Sequence, residues 1–145
     1  MKNLVVLLSA VTSFSFAQDI PQSQVPAVVV NAFQQKYSKA ADVEWEKKGE
    51  IFEVEFETGI PSKDHKMHID KAGKVIMHAQ DIAKSDLPAL VRKSIRQQFP
   101  GYASSDAVRI EQKGVVTYQV DLEKKKDDRK VTFDIKGKVV ENIAD

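Results

Sequence analysis

Two stretches of the chain repeat an apolar spacing of three and four. In Ser23 to Tyr37 the apolar positions are Val25, Val28, Val29, Ala32 and Phe33, and in Ser85 to Phe99 they are Leu87, Leu90, Val91 and Ile95. The two stretches align without a gap, Ser85 against Ser23, and predict two helices with one apolar stripe each. Ser23 and Ser85 are placed to cap them, and Pro26 and Pro88 fall in the first turn, where a missing N–H is harmless. Ser38-Lys39 and Pro100-Gly101 end them.

Between and after the helices the period drops to two. Val43 and Trp45 alternate with Asp42, Glu44 and Glu46; after a turn at Gly49, Phe52, Val54 and Phe56 alternate with Glu53, Glu55 and Glu57. The later copy offers Val108 and Ile110 against Arg109 and Glu111, a turn at Gly114, then Tyr118, Val120 and Leu122 against Gln119, Asp121 and Glu123. These are strands with one buried and one wet side.

A third segment is spelled twice, as Lys66 to His78 and as Lys130 to Asn142. Both copies keep Lys, Asp, Gly and Lys in place, with apolar residues at Met67/Val131, Ile69/Phe133, Val75/Val139 and Ile76/Val140. An Asp followed by two free positions and Gly-Lys suits a three-residue hairpin loop whose last residue, Gly73 or Gly137, has positive φ. Pairing Asp70 with Lys74 across that turn sets His68 against Ile76 and His78 against Lys66. Both histidines then share the polar face, and His65 takes the opposite one.

The chain is thus two tandem repeats, residues 18–82 and 83–145, joined near residues 80 to 85. The expected fold class is α+β: each repeat is a helix plus four antiparallel strands. Two copies sharing one antiparallel sheet, with both helices on one face, leave fewer exposed edges than either copy alone.

Composition adds compartment and partner class. Met1-Lys2-Asn3, the apolar run Leu4 to Phe16 and the small residues of Ser15-Phe16-Ala17 read as a secretory signal over residues 1–17, with the mature chain starting at Gln18. The run is shorter than the roughly 20 residues needed to span a bilayer, so the reading is a periplasmic or secreted protein with no membrane span after cleavage. The chain has no Cys, hence neither a disulfide framework nor a cysteine for lipid attachment. The formal charge is +1, and loss of Lys2 with the leader brings it to zero. Without a basic block, nucleic acid is excluded as a partner. Lys124-Lys125-Lys126 is followed by Asp127-Asp128 and reads as a solvated loop.

These features together resemble the PepSY-like group of exported proteins, also described as resembling beta-lactamase inhibitory proteins. The features are the signal, the paired Val/Leu-Pro helix openings, the Val-x-Trp or Val-x-Ile strands, the acidic-aromatic strand and the Asp-x-x-Gly-Lys-Val hairpin. The resemblance implies a tandem helix-plus-sheet fold outside the cytoplasm, without catalysis, that binds or restrains another protein such as a peptidase. It carries no catalytic motif.

The residues themselves point the same way. No Ser sits on a glycine elbow, and the carboxylates lie on open strands rather than in an apolar pocket that would split their pKa values, so no enzyme is expected. Two diagonal histidines without a third ligand make a poor metal site, and neither a metal nor a cofactor is expected. What remains is the outward sheet face. Glu44, Glu46, Glu53, Glu55 and Glu57, with Asp42 beside them, share it with Lys66, His68 and Asp70. The second repeat is more mixed, with Arg109, Glu111, Gln119, Asp121, Glu123, Lys130 and Thr132. The expected function is a monomeric, non-enzymatic module docking an exported protein or peptide, basic in character, including the role of an enzyme inhibitor. The alternative is a small-ligand or divalent-cation binder using the acidic half.

Overall fold

A computed structural model describes residues 18–145; the secretory signal expected over residues 1–17 lies outside the described residues. Among the described residues nine strands form one antiparallel sheet in chain order. β1 (Gln18–Asp19) leads to α1 (Ala27–Lys36), then β2 (Ala41–Lys48), β3 (Ile51–Thr58), β4 (Lys63–Asp70) and β5 (Val75–Ile82). The second repeat follows as α2 (Ala89–Gln98), β6 (Ala103–Gln112), β7 (Val115–Glu123), β8 (Arg129–Asp134) and β9 (Val139–Ala144). The repeats are joined by the β5–β6 ladder, from Met77 opposite Gln112 to Ile82 opposite Ala107. The α+β class, the tandem repeat and the shared sheet expected from the sequence are therefore present, with the short β1 added along β2.

Each helix covers its own half of the sheet. Under α1, Val29 and Phe33 meet Trp45, Phe52, Val54, Phe56, Met67 and Ile69; under α2, Val91 and Ile95 meet Val120, Leu122, Val131 and Phe133. Phe33 stands edge-on to Trp45 and Phe56, with ring centroids 5.5 and 4.9 Å apart, a favoured aromatic geometry. Among the described residues there are two cores on one sheet.

The hairpins follow the expected chemistry. Asp70 Oδ1 accepts the backbone N–H groups of Ala72 and Lys74, each at 2.9 Å, and Asp134 Oδ1 does the same for Lys136 and Lys138. Gly73 and Gly137 have φ of 83° and 82°. A second constraint was not legible: each glycine lies under the first turn of its helix. A Cβ on Gly137 would fall 2.4 Å from the Leu90 carbonyl oxygen, and one on Gly73 would fall 3.0 Å from that of Val28.

Three local expectations are corrected. Pro26 and Pro88 are themselves the N-cap residues, without a side-chain cap, while Ser23 and Ser85 lie in short 3-10 turns just before. The Val-Pro and Leu-Pro junctions hold the chain extended there, which postpones the helix. The second correction concerns β5. A bulge after the turn sets Ile69 opposite Val75 and His68 opposite Met77, leaving Ile76 as the extra residue. Register beyond it slips by one, and a one-residue slip moves every side chain to the other face. His78 therefore faces Met67 and the helix side, with His65, rather than the polar face.

The third correction is the polarity of β6. Ala107 pairs with Val120 and Arg109 with Tyr118, so Ala107, Arg109 and Glu111 face the helices. Val108 and Ile110, expected inside, lie on the open face. A bulge between Ser104 and Ala107 sets this register.

Candidate functional site

The open face is built from alternate residues of the strands. On its first half, Glu44 pairs directly with Glu55 and Glu46 with Glu53, and across the next ladder Glu53 meets His68, Glu55 meets Lys66 and Glu57 meets Asp64. Carboxylates thus stand opposite carboxylates, which costs tenths of a kcal/mol to about 1 per pair unless cations intervene.

Lysines intervene most densely at Glu53. Glu53 is 2 % exposed; its carboxylate accepts from Lys48 Nζ at 2.7 Å and from His68 Nε2 at 2.5 Å, and Lys66 Nζ lies 3.6 Å away. Burial pushes its carboxyl up, but the hydrogen bonds from Lys48 and His68 and the charge of Lys66 outweigh it and hold the group below the ordinary carboxylate value. Glu53 was expected as one more solvated carboxylate of an interaction face. It is instead the buried anchor of a charge network, and His68 is bound into it.

The neighbouring carboxylates are less compensated. Glu55 meets Lys66 at 2.8 Å and Glu46 meets Lys48 at 3.4 Å, while Glu44, Glu57 and Asp64 make no ion pair among the described residues. Two concavities open along this row. One of about 540 Å³ is lined by Asp19, Glu44, Glu46, Glu53 and Glu55 among others, and one of about 240 Å³ by Asp42, Glu44, Glu55, Glu57 and Asp64 among others. Among the described residues no three His or carboxylate side chains gather in an arrangement that could hold a metal ion.

Beside the acidic half the face turns apolar. Ala79 pairs with Ile110 across the repeat junction, with Val108 and Met77 on the same side two pairs away in either direction. All four are half-buried. Thr117, Gln119 and Asp121 continue the face, followed by Lys130 and Thr132. Sequence reasoning missed this patch by taking Val108 and Ile110 as inward. The available signal was the helix offset, which carried through to the strands aligns Trp45 with Ala107 and leaves Val108 and Ile110 outside.

The other two histidines sit on the helix side. His65 Nδ1 and His78 Nε2 are 3.0 Å apart, Thr58 Oγ1 is 2.7 Å from His65 Nε2, and the Tyr37 hydroxyl is 3.4 Å from His78 Nε2. The two imidazoles are nearly parallel, and Phe56 stacks on His65. Burial depresses both; His78, further lowered by His65, Lys36 and Arg109, is pushed down to about 4.

The sequence matches the family described as beta-lactamase-inhibitor-like, PepSY-like twice, over residues 15–77 and 75–141. The chain belongs to this PepSY-like family. The two matches are the two repeats of the sheet, so its two halves are two PepSY-like units. Solved structures share the fold at low identity. A protein of Bacteroides eggerthii described as periplasmic is 16% identical, with a TM-score of 0.74 over 83% of this chain and 88% of its own. A DUF2874 family protein of Bacteroides uniformis gives 17% and 0.72 over 82% and 88%. A BLIP-like protein of Bacteroides fragilis gives 16% and 0.70 over 86% and 87%. None of the curated proteins matches the sequence. No helix among the described residues of this PepSY-like protein is long and apolar enough to cross a membrane.

Proposed function

We propose that the protein is an exported, non-catalytic binding module that docks a basic protein or peptide segment across the open sheet face. The observation that carries this reading is the juxtaposition on one face of an apolar centre, Met77, Ala79, Val108 and Ile110, with the carboxylates Glu44, Glu57 and Asp64, which lack ion-pair partners among the described residues. Apolar side chains left on the wet side of a one-sided sheet mark a contact surface. Uncompensated charge beside them steers a partner of opposite sign.

Glu44, Glu46, Glu55 and Glu57 serve as the acidic rim in this reading, with Lys66 between them, while Glu53 and His68 hold the rim in place from beneath. The signal segment and the likeness to a structure described as periplasmic support export. The likeness to a BLIP-like structure supports a protein partner, and inhibition of an exported enzyme is the sharper form of the same reading.

The test replaces Glu44, Glu55 and Glu57 together by Gln and follows association with a partner captured from periplasmic extract. Association is expected to slow about tenfold at low salt and to lose most of its salt dependence, with the fold unchanged by circular dichroism. Unchanged association at every salt concentration would remove the acidic half from the docking surface.

A further inference from the structure

Beside the end of α1, a cavity of about 520 Å³ lies against β5 and the β6–β7 turn. Its lining includes Lys36 from the last turn of α1, Lys74 from the β4–β5 turn and Lys113 from the β6–β7 turn, together with Ile76, His78 and Glu111. The Glu111 charge is answered by Arg109, whose Nη2 lies 3.1 Å from Glu111 Oε2. Among the described residues the three lysines make no ion pair. They come from three separate elements yet converge on one concavity, which concentrates positive potential there.

Lys113 adds an independent sign. It is the first residue of the two-residue loop between Gln112 and Val115, with φ of 50°, followed by Gly114 at 77°. That is the position in a type I′ hairpin where Asn, Asp or Gly is favoured. The first repeat supplies the comparison: the matching loop, between Lys48 and Ile51, begins with Gly49 at φ of 60°. The second repeat thus holds a lysine in a conformation that disfavours it, and that lysine lines the cavity. Strain kept at one residue is a pointer to function.

His78 lines the same space, its Nε2 3.0 Å from His65 Nδ1. We propose that this cavity binds a small oxyanion carrying at least two negative charges, a carboxylate or a phosphate, held by Lys36, Lys74 and Lys113 beside the His78 ring. The site does not depend on docking at the open sheet face, with whose centre it shares only Met77.

The test uses the protein with citrate and with pyrophosphate as probes, at fixed ionic strength, followed by the ring-proton resonances of His78. A bound anion favours the imidazolium, so saturation is expected to raise the His78 pKa from about 4 by about one unit or more. Response to citrate alone assigns the site to carboxylates, response to pyrophosphate alone to phosphates, and either supports it. Lys113→Asn relieves the backbone, so its melting temperature is expected to equal or exceed that of the parent, while anion affinity falls about tenfold. Lys36→Gln, which changes only an exposed side chain, is expected to weaken binding to a similar degree. Absence of a saturable response to either anion below about 20 mM, far weaker than a millimolar site would show, overturns the proposal. So does a Lys113→Asn variant that binds as the parent does.

Discussion

At Glu53 a carboxylate sits among Lys48 of β2 and Lys66 and His68 of β4, and removing its charge leaves the two lysines facing one another. Glu53→Gln is therefore expected to destabilise the protein by about 1–3 kcal/mol in urea unfolding, whereas Glu57→Gln is expected to fall within about 0.5 kcal/mol of the parent. Acid acts on the same residue: its folded pKa lies below the ordinary 4.5, so the stabilisation is complete above that value and is lost as pH falls through the folded pKa. His78 acts at higher pH. Unfolded, it takes up a proton near 6.5, but folded it does so only near 4, so stability declines as pH drops through that window. In His78→Gln, urea midpoints measured between pH 7 and pH 4 are expected to decline less steeply than in the parent. An unchanged slope would place the titrating group elsewhere.

The hairpins show what was legible at the scale of elements and what was not. Asp70 and Asp134, with glycines three positions on, named the turn because the side chain that folds the loop and the residue that tolerates it are both local. The bulge after the turn was not legible, since Val75 and Ile76 are both apolar and either register reads equally well through them, yet every residue beyond the bulge, Met77, His78 and Ala79 included, changes face with the choice. The close approach of each hairpin to its helix is a tertiary fact with no trace in the spacing. It makes the two glycines unequal: Gly137→Ala is expected to cost more than Gly73→Ala, about 2 kcal/mol or more against about 1, because the Leu90 carbonyl cannot move without breaking the first turn of α2. Equal midpoint shifts in urea would contradict that packing. β6 failed for a different reason. Its alternation was read correctly as a strand, but apolarity was equated with burial, and at the joint between the repeats the apolar side is the open one.

Over the whole molecule, two cores share one sheet and are tied through six residue pairs of the β5–β6 ladder. Neither half can separate without exposing a long strand edge, so Trp45 fluorescence, which reports the first core, and far-UV circular dichroism are expected to give coincident urea midpoints. The same joint places Met77, Ala79, Val108 and Ile110 at the centre of the open face, away from both helices. Docking on that face is tested most directly by one comparison: capture and cross-linking from periplasmic extract with the parent, with Ile110→Glu and with Leu90→Glu, which puts the same charge on an exposed residue of the helix side. A partner is expected with the parent and with Leu90→Glu, and is expected to be lost with Ile110→Glu while its circular dichroism spectrum stays that of the parent. A partner retained by a folded Ile110→Glu variant, or lost with Leu90→Glu instead, would contradict docking on the open face.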